Sequence, residues 1–259
     1  MTRIRWQSFV DEGTNAPYLE RLSTWLNANA GPGTEVEVIG MSPADRDFGR
    51  LSEFRCSVTA VANAIAAEED GCDAFVFGHF QEPGLYEARA AAAIPVVGIG
   101  ESSLLWASQV GRHIGLISIH PVYRPIHEEQ VERYGLASRL CGIRALGATV
   151  ESFTGAFAGS AADRAALVAQ FDEAARELIA DGADVIVIAG GLFGLLIAGD
   201  RGYAVDGVPV VNCTPVGLAW AQMAIRVREL TGMTAGDGPC FAPGTGTARA
   251  DFLAMRQQA

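Results

Sequence analysis

Apolar residues along this chain fall into short runs that suit buried strands and stripes at three- and four-residue spacing that suit helices. Residues 3–9 alternate as a first strand and run into a turn-rich loop, Asp11–Asn15. Leu19, Leu22, Trp25 and Leu26 mark one buried helical face, which Asn29-Ala-Gly-Pro-Gly-Thr stops. A strand over 35–39 follows, then a helix carrying Val58, Val61 and Ile65, with Ser57 as its N-cap and an end near Gly71. Strand 73–78, a helix around 84–93 and strand 95–99 complete the first half.

The second half follows the same logic. A strand is expected over 113–119, a helix over 126–134 closed by Gly135, and a short strand over 148–152. Residues 154–160 read as a Gly/Ala-rich loop. A long helix over 161–180 starts at Ser160 or Asp163 and carries an Asp172–Arg176 pair at i,i+4. Strand 184–189, a Gly-rich turn at 190–194 with a helix beyond it, strand 208–212 and a helix over 214–229 lead into a tail rich in Gly and Pro.

Two segments nearly repeat. Gly71-Cys-Asp-Ala-Phe-Val-Phe-Gly-His-Phe and Gly182-Ala-Asp-Val-Ile-Val-Ile-Ala-Gly-Gly each follow a helix, cross Gly-x-Asp and end an apolar strand on small residues. Each is followed by a strand of one type, Ile94-Pro-Val-Val-Gly-Ile and Val208-Pro-Val-Val-Asn-Cys. The copies lie 111 residues apart at the first strand and 114 at the second. Such spacing predicts an α/β protein of two pseudo-symmetric lobes, each a parallel sheet flanked by helices. The expected division is residues 1–100, completed by 210–259, for one lobe and 101–209 for the other. The repeat sets His79 of one lobe opposite Gly190 of the other.

Composition narrows the partners. A net charge of −11 repels phosphate backbones, so nucleic acid is not expected. No apolar run approaches the roughly 20 residues that span a bilayer, and the N-terminus enters a strand pattern at once. A cytoplasmic protein without membrane contact is the expectation. The five cysteines at 56, 72, 141, 213 and 240 form no CxxC pair, and the four histidines lack metal-ligand spacing, so neither a disulfide framework nor a metal site is expected.

Phe77-Gly-His-Phe-Gln-Glu-Pro-Gly-Leu-Tyr-Glu-Ala-Arg, with Ile94-Pro-Val-Val-Gly-Ile-Gly-Glu, resembles the aspartate/glutamate/hydantoin racemase superfamily, and its hydantoin racemase branch most closely. Ile114-Gly-Leu-Ile-Ser-Ile, Val131-Glu-Arg-Tyr-Gly-Leu and Val185-Ile-Val-Ile-Ala-Gly-Gly-Leu extend the likeness over most of residues 3–230. The resemblance implies an active site between the lobes, no cofactor, and a small anionic or carbonyl-containing substrate. It also implies a homo-oligomer, by analogy. Racemases of this kind use one cysteine per lobe to move a proton on opposite faces of a carbon beside a carbonyl. The resemblance places those cysteines at His79 and Gly190, so neither thiol is present here.

In parallel sheets ligands bind beyond the carboxyl ends of the strands, which selects the candidates. His79 serves as a general base or acid, or caps a strand end. Gly190 and Gly191 offer backbone N–H groups to an oxyanion, or simply permit a tight turn. Cys213 is a surviving cleft thiol or a small lining residue, and Glu101 orients His79 or is a surface carboxylate. Ser118 matches a substrate-binding hydroxyl of related enzymes, and Ser8, Phe80 and Asn212 join it as expected substrate contacts. His120, Tyr123, Arg124 and His127 form a further polar cluster.

The functional expectation is a cofactor-independent enzyme acting at a carbon next to a carboxylate or imide carbonyl, of isomerase, lyase or hydrolase type, with His79 as its single acid/base. The alternatives are a hydantoin or amino-acid racemase with a non-standard pair, His79 with Cys213 or Glu101, and a non-catalytic protein that binds a small ligand.

Overall fold

The computed structural model describes residues 1–42, 48–243 and 247–257. One sheet contains β1 (Thr2–Asp11), β2 (Thr34–Met41), β3 (Ala74–Phe77) and β4 (Val96–Gly98), in the order β2-β1-β3-β4. Its strands are joined through α1 (Ala16–Asn29), α2 (Arg50–Glu69) and α3 (Leu85–Ala91). A helix, α4 (Ile99–Val110), leads to the second sheet. That sheet contains β5 (Ile114–Ser118), β6 (Leu140–Ala145), β7 (Val185–Ala189), β8 (Ala204–Val205) and β9 (Val208–Val211), in the order β6-β5-β7-β9-β8. Between its strands lie α5 (Arg124–Arg133), α6 (Thr154–Phe157), α7 (Ala161–Ala180) and α8 (Gly191–Leu196). Two helices follow, α9 (Cys213–Thr231) and α10 (Ala248–Gln257).

The predicted repeat is realised in the strand orders. The first four strands of one sheet match β5, β6, β7 and β9 of the other, and every pairing is parallel except β8 with β9. β3 and β7 are central and fully buried, which is why their sequences are unbroken apolar runs rather than alternating ones. Each large side chain buried there contributes about 1.5–3 kcal/mol. Gln7 pairs with Phe77 and Ser118 with Ala189, so β5 and β7 end level with each other, while β3 stops beside Gln7 and β1 runs on to Asp11. The carboxyl-terminal parts of these four strands lie together.

Several elements differ from expectation. Residues 148–152 form no strand; the edge strand is β6, whose amphipathic Leu140-Cys-Gly-Ile-Arg-Ala carries Arg144 out to Glu177 and Asp181. The stretch read as a loop at 154–160 contains the short α6. α2 begins at Arg50, so Ser57 lies inside it and turns its hydroxyl back to the Phe54 carbonyl at 2.6 Å. Arg176 pairs with Asp206 rather than Asp172, whose carboxylate accepts from the Tyr203 hydroxyl. Ser160 caps α7 as expected, accepting from the Asp163 amide. Part of the Gly-rich tail, 244–246, lies outside the described residues. α9 packs on α4 and on β3 and β4 of the first sheet. Among the described residues no helix is long and apolar enough to cross a membrane.

Candidate active site

The carboxyl-terminal parts of β1, β3, β5 and β7 surround a cavity of about 50 Å³, room for a few waters. Ser8, after the Gln7–Phe77 register point, and His79, two residues beyond β3, stand on one wall. Gly78 sets up this arrangement. A Cβ there would lie 2.0 Å from Trp6 Nε1 and 2.8 Å from the Gln7 carbonyl, so only glycine lets β3 end this close to β1. The His79 ring stacks on Phe9, centroids 4.5 Å apart, and meets Tyr123 edge-on at 6.1 Å. Its Nε2 lies 3.0 and 3.2 Å from the two Glu53 carboxylate oxygens. Glu53 comes from the first turn of α2, and its side chain is only 7% exposed. Imidazole and carboxylate thus form a nearly buried dyad.

The opposite wall is backbone. Gly190 is extended (φ 176), and a Cβ there would meet only the end of the Ile119 side chain, at 2.8 Å. A Cβ on Gly191 would lie 3.1 Å from the Gly78 carbonyl and 3.4 Å from the Tyr18 hydroxyl, so bare backbone is what brings the lobes together here. The Gly190 amide faces the sulfur of Cys213, which opens α9 behind the wall. Burial pushes that thiol up to about 12, against the lowering effect of the surrounding amides. Cys213 is completely buried and does not line the cavity.

Of the nine expected site residues, Ser8, His79, Gly190 and Gly191 line the cavity, and the other five do not. Phe80 turns into the core, its ring edge-on to His127 at 5.6 Å. Glu101 is held by Arg89, with Nη1 to Oε1 at 3.0 Å, and leaves His79 to Glu53. Ser118 is buried against His127 Nε2 at 3.0 Å. Asn212 caps α9, accepting from the Thr214 amide at 3.0 Å and donating to the Gly194 carbonyl at 2.8 Å. Cys213 is the fifth. Within the polar cluster only Tyr123 reaches the cavity; Arg124 pairs with Glu128 and His120 accepts from the Val122 amide. Glu53 and Tyr18 are the residues that sequence reasoning missed. Both stood on apolar helical stripes, Glu53 with Cys56 and Ala60, Tyr18 with Leu22 and Leu26. A polar group on a buried face was the available signal.

The sequence profile of the Asp/Glu/Hydantoin racemase family matches residues 9–221. The chain belongs to that family. A hydantoin racemase from Pseudomonas sp. (strain NS671) is 29% identical over 207 residues, 79% of this chain and 80% of the relative. One from Rhizobium meliloti is 31% identical over 171 residues, 66% of this chain and 68% of the relative. Among solved structures, the allantoin racemase from Klebsiella pneumoniae superposes with a TM-score of 0.76 at 22% identity, covering 95% of this chain and 94% of that one. An arylmalonate decarboxylase superposes with a TM-score of 0.54 at 17% identity, covering 86% of this chain and 92% of that one. At these identities the superpositions establish the fold, and the named relatives are enzymes.

Behind the dyad this racemase-family fold carries a second buried polar network. Glu82, 1% exposed and at φ 41, accepts from the Gly100 and Glu101 amides at 2.9 and 3.0 Å, from Gln130 Nε2 at 3.0 Å and from the Tyr134 hydroxyl. Gln130 also donates to the Phe80 carbonyl at 2.6 Å and meets His127 Nδ1 at 3.2 Å. The turn that carries His79 is thereby tied to α4 and α5. Burial outweighs the donors around Glu82 and pushes its carboxyl up to about 7. Burial drives His127 down to about 4 and keeps it neutral.

Proposed function

We propose that this racemase-family protein is a cofactor-independent enzyme that works at a carbon next to a carboxylate or imide carbonyl, with His79 as its one acid–base group. One observation carries the reading: the His79 imidazole faces the cavity while the facing positions, Gly190 and Gly191, bring only backbone. The resemblance that puts the family's two cysteines at these positions supports the same asymmetry.

Glu53 gives the imidazole its direction. With Nε2–H donated to the carboxylate, the basic lone pair sits on Nδ1, and the carboxylate stabilises the imidazolium formed when the ring takes a proton. The substrate's C–H bond breaks, its proton passes to the ring, and the electron pair moves into the adjacent carbonyl as an enolate. Ser8 and the Gly191 backbone stand around that developing charge. A proton returned from the same ring reaches the same face. That favours isomerisation, decarboxylation or exchange with retention over two-base racemisation.

The hydantoin racemases among the relatives favour a second reading, racemisation of a cyclic ureide, which needs another base on the glycine wall. Cys213, pushed up to about 12 behind Gly190, is poorly suited to that role.

The test is α-deuterium exchange in D2O across a panel of hydantoins, allantoin and arylmalonates. Glu53→Gln keeps the shape but presents an amide to Nε2, and is expected to slow exchange roughly 10²-fold with little change in KM. Exchange at the wild-type rate in Glu53→Gln removes the dyad from the mechanism.

A further inference from the structure

The geometry points to Tyr18 as a further catalytic residue: its phenol O–H donates to the substrate oxygen on which charge develops when His79 removes the proton. The inference rests on the reading of His79 as the base.

The residue directly across from His79 leaves this role open. The Gly190 amide is turned to the Cys213 sulfur, and the Gly190 carbonyl accepts from the Gly194 amide at 3.0 Å. Tyr18 stands where a donor is needed. It comes from the first turn of α1, just after Pro17, and lines the same cavity as His79 and Ser8. Its ring is 4% exposed and is met edge-on by Phe157 at 5.3 Å, which fixes its direction. The hydroxyl crosses the lobe boundary to within 3.4 Å of where a Gly191 Cβ would be. A side chain at 191 would crowd the phenol as well as the Gly78 carbonyl, at 3.1 Å. The Ser8 side chain stands beside the phenol oxygen and lines the same cavity.

Burial raises the Tyr18 pKa well above its ordinary value, so the phenol stays protonated and donates rather than ionises. Atoms balance without proton transfer from tyrosine. The C–H proton goes to the imidazole, the C–H electron pair becomes the enolate double bond, and the carbonyl π pair moves to oxygen, which accepts the O–H hydrogen bond. Return of the proton from the imidazolium reverses each shift. Such a donor acts chiefly on the charged oxygen of the transition state, so its effect falls on kcat.

Tyr18→Phe removes one oxygen and leaves the ring packed. In D2O, with 5-isopropylhydantoin and allantoin as probes, this variant is expected to exchange about 10²–10³-fold more slowly in kcat, with KM within about threefold of wild type and an unchanged near-ultraviolet dichroism spectrum. Ser8→Ala, which removes the hydroxyl beside the phenol, is expected to lose about tenfold and supplies the test if Tyr18→Phe does not fold. Undiminished kcat in Tyr18→Phe beside an inactive His79→Ala overturns the role of Tyr18 and leaves the base intact. A loss confined to KM reduces Tyr18 to ground-state binding and also overturns it. Wild-type-like exchange in His79→Ala, or no exchange of either probe by the wild-type protein, overturns the underlying reading and this inference with it.

Discussion

His79→Ala is expected to slow α-proton exchange by about 10²–10⁴, the usual worth of a positioned general base. The variant should fold. The ring stacks on Phe9, meets Tyr123 edge-on and bonds Glu53, and His79 lies outside β3. The Glu53 carboxylate, 7% exposed, would lose its partner, at a cost of about 1–3 kcal/mol in unfolding free energy. Activity and stability thus separate: most of the activity disappears and only part of the stability. The space vacated by the ring opens onto the cavity, so imidazole added to the buffer should restore part of the rate in proportion to its concentration. Exchange kinetics in D2O with and without imidazole check both expectations. An alanine variant that exchanges as fast as wild type would show that the base lies elsewhere.

Glu82→Ala carries the largest expected cost in stability. Removing the carboxylate leaves the Gly100 and Glu101 amides, Gln130 Nε2 and the Tyr134 hydroxyl facing an empty, buried space. Each unsatisfied donor costs about 1–3 kcal/mol; entering water recovers part, so a net loss of about 3–5 kcal/mol is expected. The glycines at 98 and 100 indicate how closely the fold is built around this group, since a Cβ at 98 would lie 2.0 Å from Glu82 Oε2 and one at 100 would lie 2.1 Å from the Phe80 carbonyl. The penalty also has a direction in pH. The folded-state carboxyl sits at about 7 against an ordinary 4.5, so between those values the folded protein holds a proton that the unfolded chain has lost. Its contribution to stability therefore falls as pH rises from 4.5 to 7. The deficit of Glu82→Ala relative to wild type should shrink over that interval. His127, about 4 in the fold against 6.5, gives the opposite slope in both proteins and cancels from their difference. Urea midpoints at pH 5 and pH 8 measure the effect. A deficit below about 1 kcal/mol at pH 5, or one that grows with pH, contradicts the role assigned to Glu82.

The parts of the fold that could be read from sequence are those whose burial is simple. β3 and β7 are central strands, so Gly-x-Asp followed by an apolar run marked both, and their repetition foretold two sheets of one order. β6 and α4 were harder. β6 lies at an edge, where Arg144 breaks the apolar pattern to reach acidic partners, and α4, for which no element was expected, opens on Gly100-Glu-Ser-Ser, whose first amides the Glu82 carboxylate caps.

The site divides the same way. His79 and the two glycines follow strands, and that position alone pointed to the cavity they line. Glu53 lies 26 residues from His79 on another element, and no local pattern links them. Tyr18 read as part of a helical stripe because its ring packs in the core, whereas its chemistry resides in one oxygen at the edge of that core. Phe80 and Ser118 lie away from the cavity, because adjacency to a strand end does not fix which way the chain sends each side chain.

The claim at the centre is that one imidazole, facing bare backbone, handles the proton alone. The stereochemical course of exchange tests it most directly. A single enantiomer of 5-isopropylhydantoin is incubated with the protein in D2O, and deuterium content and optical purity are followed together. Deuterium entering the starting enantiomer well before the opposite one appears is the predicted result. Deuterium appearing first in the opposite enantiomer, while the remaining starting enantiomer stays unlabelled, would mean that a second base works from the glycine wall, and would contradict it.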